Sequence, residues 1–264
     1  MHTVTLIPGD GGGPQTAQLL QDVIAATGVN IQWDVQDPAQ PDQVLASVKE
    51  TKLAVRAKYL AARPIQKTPY VIHMRKSLGV HTIVRSIQNL PGLPSRATGV
   101  DIVVIREASE DIYAGFEHAS SEGVFETVKV TTEAACMRIS RFAFEYARTH
   151  GRKKVTTVHK ANILKKADGM FLRTSQQIAA EYPEIQHEEV IVDALCMKLV
   201  RWPQSFDVLL CGNLFGDIVS DCAAGMAGGI TVATGMNLGN QVTVFDNPHG
   251  VSLEQCGKDG ANPY

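Results

Sequence analysis

Asp217 and Asp221 close the run Asn213-Leu214-Phe215-Gly216-Asp217-Ile218-Val219-Ser220-Asp221, four residues apart and so on one face of a helix. Like charges at that spacing repel unless a cation or an arginine sits between them. Carboxylate oxygens alone suit Mg²⁺ or Mn²⁺, which accept few protein ligands and keep positions open for a substrate. Asp193, ending another strand-like run, would supply a third carboxylate. The bland alternative is a pair of acids favoured by the dipole near a helix N-terminus.

A basic series, Arg75-Lys76, Arg85 and Arg106, stands at or near the ends of successive apolar runs. Arginine forks pair with carboxylates through two parallel bonds, which suits a small polyanion, whereas isolated arginines of this kind are ordinary surface charges. The polar run from Arg106 through Glu107, Ser109, Glu110 and Asp111 reads as a solvated loop, which leaves Tyr113-Ala114-Gly115 unexplained. Lys160 directly follows a strand-like run. Burial would lower its pKa and make it a base; exposure would leave it an ordinary ammonium. The turn Pro8-Gly9-Asp10-Gly11-Gly12-Gly13-Pro14 could bring backbone N–H groups to a phosphate, but it has neither dinucleotide nor P-loop spacing and reads first as a tight turn before a helix.

The elements that must position these groups follow from periodicity. Val4 to Ile7, the glycine turn and Gln15 to Ala26 read as strand, turn and helix; Ile31, Trp33 and Val35 alternate like a strand, and the segment then becomes a Pro, Asp and Gln-rich loop. Strands are predicted at 82–84, 100–105, 155–158, 188–192 and 207–211, and helices at 131–149, 168–182, 194–200 and 221–229. The helix at 131–149 stops at His150-Gly151. Alternating strands and helices specify an α/β fold with a parallel or mixed sheet.

Composition narrows the function classes. With 264 residues, 44% hydrophobic, and a mean hydropathy of −0.04, the chain is an ordinary globular protein. A formal net charge of −2 gives no global basic field for nucleic acid or anionic membrane surfaces. No apolar run reaches the ~18 residues of a membrane span, and the N-terminus lacks a signal-peptide pattern, so the expected compartment is the cytoplasm. Cys136, Cys196, Cys211, Cys222 and Cys256 form no C-x-x-C pair, which argues against a disulfide scaffold or zinc module.

Taken together, Ile7-Pro8-Gly9-Asp10-Gly11, Arg106-Glu107 through Tyr113-Ala114-Gly115, Val158-His159-Lys160-Ala161-Asn162-Ile163-Leu164-Lys165, and Asn213 through Asp221 with Ala223-Ala224-Gly225 resemble the isocitrate and isopropylmalate dehydrogenase family. The wording is closest to its NAD-dependent isocitrate dehydrogenase branch. The resemblance implies a two-domain α/β fold with a mixed sheet, distinct from the Rossmann fold. It places a large cofactor-side domain at 1–80 and 228–264, and a small domain at 81–227 with a dimerisation segment around 111–132. It implies metal-dependent, NAD-linked oxidative decarboxylation of a malate-type hydroxy acid, isocitrate-like above all. Arg75, Arg85 and Arg106 would bind substrate carboxylates. Asp217 and Asp221 would hold Mg²⁺ or Mn²⁺ with Asp193 of a second subunit. Lys160, also from that subunit, would take the hydroxyl proton, and Tyr113 would protonate the enolate. A homodimer or higher oligomer follows, with a heteromeric partner as a further expectation.

His249, Gly250, Glu254 and Asn262 match cofactor positions. An acid at Glu254 accepts hydrogen bonds from ribose hydroxyls and repels a 2′-phosphate, which points to NAD. Several residues depart from the family pattern. Pro69 and Val71 replace a serine and an asparagine of the isocitrate enzymes; Val71 and Ile72 resemble instead the apolar pair that holds an alkyl group in isopropylmalate enzymes. Gly12, Gln15, Ala108 and Val251 also differ from the family, and the sequence ends at Asn262-Pro263-Tyr264, where family members continue. The expectation is an incomplete large domain. These departures define the alternative: a catalytically impaired homologue serving as a regulatory or assembly subunit, or binding a ligand without turnover.

Overall fold

The computed structural model describes residues 2–57, 64–65, 68–248 and 250. In chain order they form β1 (His2–Ile7), α1 (Gly13–Ala26), β2 (Ile31–Val35), α2 (Pro41–Thr51), β3 (Leu53–Arg56), the two-residue β4 (Pro64–Ile65) and β5 (Thr68–Pro69), and α3 (Tyr70–Ser77). Next come β6 (Thr82–Gln88), β7 (Asp101–Glu107), β8 (Glu117–Ser121), β9 (Val124–Thr127), α4 (Glu133–Thr149), β10 (Lys154–His159) and α5 (Ala167–Ala179). The chain continues with β11 (Gln186–Ile191), α6 (Val192–Arg201), β12 (Val208–Cys211), α7 (Asn213–Ala227), β13 (Ala233–Leu238) and β14 (Thr243–Asp246). They divide into two compact units, residues 1–80 with 234–264, and residues 81–233.

In the first unit the strand order is β13-β14-β3-β1-β2. β1 runs parallel to β2 and β3, β14 runs parallel to β3, and β13 is antiparallel to β14. The glycine-rich turn does what its composition demands: Gly9 and Gly11 adopt φ of 77° and 56°, a left-handed region closed to most side chains, and Pro14 sits in the first turn of α1. The loop expected after Val35 is short, because Pro41 opens α2 in the first-turn position where proline sacrifices no hydrogen bond.

The second unit has the order β11-β10-β12-β7-β6, parallel except for β6 against β7. This is the mixed sheet of the α/β expectation. Ile102 and Val104 pack with Leu195 and Leu199 of α6 and with Val219, Ala223, Ala224 and Ala227 of α7. By the two-residue period of a strand, Val103 and Ile105 point to the opposite side, where they are also buried and where α4 and α5 pack against β7 and β10. Burial of each such aliphatic side chain contributes about 1.5–3 kcal/mol. Ala223, Ala224 and Ala227 of α7 are fully buried in the same cluster.

Two predicted elements are displaced. The helix expected over Asp221 to Gly229 instead spans Asn213–Ala227, so the Asn213 to Ser220 stretch forms its first two turns. The strand expected to end at Val84 continues to Gln88, which puts Arg85 in mid-strand opposite Val104 rather than at a strand end. Elsewhere the helix at 133–149 starts with Thr132 Oγ1 accepting from Ala135 N and stops before Gly151 at φ 67°, as the glycine signal implies.

Candidate functional site

Within the second unit, one cluster gathers around α7. Arg106, at the end of β7 and 5% exposed, donates from Nε to Asn213 Oδ1 at 2.8 Å and forms a short ion pair with Asp217. The guanidinium stands 5.2 Å from the centre of the Tyr113 ring, and the Tyr113 hydroxyl donates to Asp217 Oδ2 at 2.6 Å. Gly216 permits this packing: a Cβ there would lie 2.7 Å from Arg106 Cγ and 2.8 Å from its Cβ. Burial, the hydrogen bond to Asp217 and the charge of Asp217 all push the Tyr113 phenol above its usual value. A phenol is protonated at neutral pH in any case, as a proton donor must be, and these contacts reinforce that state.

Asp221 sits one turn after Asp217. Burial, followed by the charge of Asp217, raises its carboxyl above the usual range, against the opposing pull of Arg85 and Arg106. Arg85, 7% exposed, thus belongs to the same electrostatic group. The two aspartates are hard oxygen donors whose mutual repulsion a divalent cation would relieve. Among the described residues no three His, Cys, Asp or Glu side chains converge to hold a metal. Asp193 is elsewhere.

Asp193 instead forms a second cluster with Lys160. Lys160 Nζ donates to Asp193 Oδ1 at 2.9 Å, and this bond holds the Asp193 carboxyl below its usual range. The lysine is not sealed from water within this chain, and Asp193 is well exposed. No hydrogen bond among the described residues joins Lys160 and Asp193 to Tyr113 and Asp217. The three-carboxylate set is therefore not assembled by these residues of one chain.

The polar run after β7 is not the solvated loop its composition suggests. Glu107 is buried, accepting from Ser109 N at 2.9 Å and Glu110 N at 3.1 Å, with Arg138 Nη2 at 3.3 Å. Glu110 accepts from Thr132 N at 2.8 Å, fastening the run to the start of α4. Hydrogen bonding turns these acids inward, which charge counting alone does not reveal.

In the first unit, Arg75 on α3 donates from Nε to Asn237 Oδ1 at 3.1 Å, while Asn237 Nδ2 donates to Val244 O at 3.1 Å. Val71 lines a small cavity of about 20 Å³ with Ile7, Met74, Leu78 and Val244. Of the cofactor candidates, Gly250 is exposed; His249, Glu254 and Asn262 lie outside the described residues, as does Val251. Sequence reasoning assigned no role to Asn213 or Asn237. An asparagine at the start of a helix and one inside a strand give no local signal of holding an arginine.

Comparison with known proteins places the chain in a family. A family described as isocitrate/isopropylmalate dehydrogenase matches residues 3–264. The chain is 41% identical to the mitochondrial catalytic subunit 6 of NAD isocitrate dehydrogenase from Arabidopsis thaliana, across 98% of this chain and 72% of that protein. It is 42% identical to the mitochondrial regulatory subunit 2 of NAD isocitrate dehydrogenase from the same plant, across 97% and 71% respectively. A crystal structure of isocitrate dehydrogenase from Methylococcus capsulatus superimposes with a TM-score of 0.88 at 39% identity, covering 100% of this chain and 82% of that one. The chain belongs to the isocitrate/isopropylmalate dehydrogenase family of oxidoreductases.

Proposed function

We propose that the protein catalyses metal-dependent, NAD-linked oxidative decarboxylation of a malate-type 2-hydroxy acid, an isocitrate-like acid first among them. The observation that carries this reading is the contact of Tyr113, a phenol held protonated, with Asp217, beside the buried Arg106. Arg106 and Arg85 offer guanidinium donors to substrate carboxylates, Arg106 oriented by Asn213. Asp217 and Asp221 would hold Mg²⁺ or Mn²⁺, whose contribution when bound is Lewis-acid polarisation of the substrate oxygen. NAD would accept the hydride, with His249 and Asn262 on its adenine side, Glu254 at its ribose hydroxyls, and Gly250 as a further cofactor contact.

Lys160, entering this step as the neutral amine, takes the proton of the substrate hydroxyl as hydride leaves the adjacent carbon and becomes the ammonium, which Asp193 beside it stabilises and orients. After carbon dioxide departs, Tyr113 gives its phenolic proton to the enolate carbon, and the charge of Arg106 beside the ring eases formation of the phenolate. Lys160 and Tyr113 belong to separate clusters in one chain, so the reading requires a second copy that brings its Lys160 and Asp193 to Tyr113, Asp217 and Asp221. Exposed apolar residues support such an assembly: Phe116, Val124 and Phe125 around the β8–β9 hairpin, and Met197, Val200 and Ile218 on α6 and α7. Sedimentation tests this directly. A dimer or larger species at micromolar concentration is expected, and a monomer overturns the shared site.

A second reading, that the chain is a regulatory or assembly subunit, is favoured by the match to a protein named a regulatory subunit at much the same identity as to one named catalytic. The two separate on turnover by the chain alone. NADH formation from isocitrate, isopropylmalate, homoisocitrate, malate or tartrate with Mg²⁺ supports the enzyme; its absence for every acid, with no NAD binding by calorimetry, supports the regulatory role.

A further inference from the structure

Three charged side chains of the second unit are bonded to the segments that carry both clusters. Asp111 is 3% exposed and Asp168 4%, and Lys129 reaches between them, with Nζ 2.9 Å from Asp111 Oδ1 and 3.6 Å from Asp168 Oδ1. Phe215 of α7 caps the ammonium, its ring centre 5.7 Å away. Two buried carboxylates around one cation make a poor stabilising device, because removing the charges from water offsets most of their attraction. Their remaining hydrogen bonds show what the arrangement secures instead.

Asp111 Oδ1 also accepts from Ile112 N at 2.8 Å, and Oδ2 accepts from Leu214 N at 3.1 Å. The first bond caps the short 3-10 turn Ile112–Ala114 that presents Tyr113; the second fixes that turn to the first residues of α7, one turn before Asp217. Asp111 adopts φ 77° and ψ −155°, a strained backbone for a non-glycine residue that persists only when its surroundings over-determine it. On the other side, Asp168 Oδ2 accepts from Lys160 N at 2.7 Å and holds the backbone that carries the base. Neither Asp111 nor Asp168 touches a reacting group.

We propose that Lys129 is a positioning residue that ties the Tyr113 turn, through Asp111, to the Lys160 backbone, through Asp168. The proposal rests on the reading of Tyr113 as acid and Lys160 as base. Because those two groups would serve different sites of a dimer, Lys129 then connects the two sites within each subunit. The charge of Lys129 is essential to the role, since it alone of the three groups attracts both carboxylates.

Hydrogen–deuterium exchange on the intact protein tests this without needing turnover. Lys129→Met should speed exchange by about tenfold in both 110–116 and 159–166 while the protein remains folded. Asp168→Asn should loosen 159–166 alone, and Lys129→Arg should restore most of the protection. In the active enzyme, Lys129→Met should lower kcat by about tenfold and change KM for the acid by less than about threefold. Unchanged exchange in both segments, or loosening confined to 124–130, overturns the proposal. Should Lys129→Met fail to fold, Asp168→Asn decides: protection of 159–166 equal to wild type overturns it. A wild-type chain without turnover removes the catalytic reading and leaves the exchange pattern to judge whether Lys129 joins the two segments.

Discussion

Tyr113 donates its phenolic hydrogen to Asp217 at 2.6 Å, so a proton donor and a carboxylate suited to a divalent cation are in direct contact. Tyr113→Phe removes that donor while keeping the ring beside Arg106. The expected result is a kcat lower by about 10²–10⁴ with KM for the acid little changed. Because Tyr113 is partly exposed, the thermal midpoint should stay near that of wild type. Steady-state kinetics with a melting curve on the same preparation checks both halves.

Gly216 gives a sharper steric test. Its missing side chain leaves room for Arg106, and a methyl group would stand 2.7 Å from Arg106 Cγ. Gly216→Ala should push the arginine away from Asn213 and Asp217, costing about 1–3 kcal/mol of stability. A rise of roughly tenfold or more in KM for the hydroxy acid should accompany it, since a guanidinium–carboxylate contact is worth about that much. Full stability and an unchanged KM would show that Arg106 has slack the packing does not suggest.

Acid sensitivity should come from His187. Burial, opposed only partly by Glu189 and Glu188, lowers its pKa below 6.5, and its ring packs edge-on to Phe144 at 5.6 Å. Thr157 gives its hydroxyl hydrogen to Ser175, so His187 Nε2 donates to Thr157 in the neutral ring. The unfolded chain then binds a proton that the folded chain refuses. Stability is fully present above pH 6.5 and declines as pH falls below it, by at most about 1.4 kcal/mol per pH unit for this one group. His81, shifted the same way by burial and by Arg138, adds to the slope. Urea melts between about pH 7.5 and 5.5 should show the decline, and His187→Gln should flatten part of it.

Subunit sharing predicts complementation. Tyr113→Phe and Lys160→Ala should each be nearly inactive as homo-oligomers. Mixed by unfolding and refolding, they should recover up to about a quarter of wild-type activity, because half of the subunits pair unlike and each such pair contains one intact site. No recovery, with mixed dimers demonstrated by mass, would place Lys160 and Tyr113 in the same chain's site. The ion pair of Lys160 with Asp193 is exposed, so Lys160→Ala should leave stability nearly unchanged.

Much of this was legible in the residues. The β-branched runs before Arg106 and His159 and the apolar run ending at Cys211 announce buried strands, and their polar continuations mark where side chains of interest begin. The four-residue spacing of Asp217 and Asp221 correctly places both on one helix. What stayed hidden was long-range. Nothing near Asp168 in sequence shows that its carboxylate turns back to Lys160 N, and nothing near Lys129 shows that it reaches two acids brought together by the ends of β7 and α5. The start of α7 is hard to read because Asn213 and Gly216 are poor helix formers. Their places are set by tertiary contacts: Asn213 donates to Glu110 O at 2.9 Å and receives Arg106, while Gly216 yields it space.

The central claim is turnover by this chain, and NADH formation followed by its absorbance with NAD and Mg²⁺ tests it most directly, using Lys160→Ala as control. The account predicts metal-dependent NADH production, with carbon dioxide released in equal amount, from at least one malate-type acid, and none from the variant. No NADH from any of the acids named above, or equal production by Lys160→Ala, would contradict it.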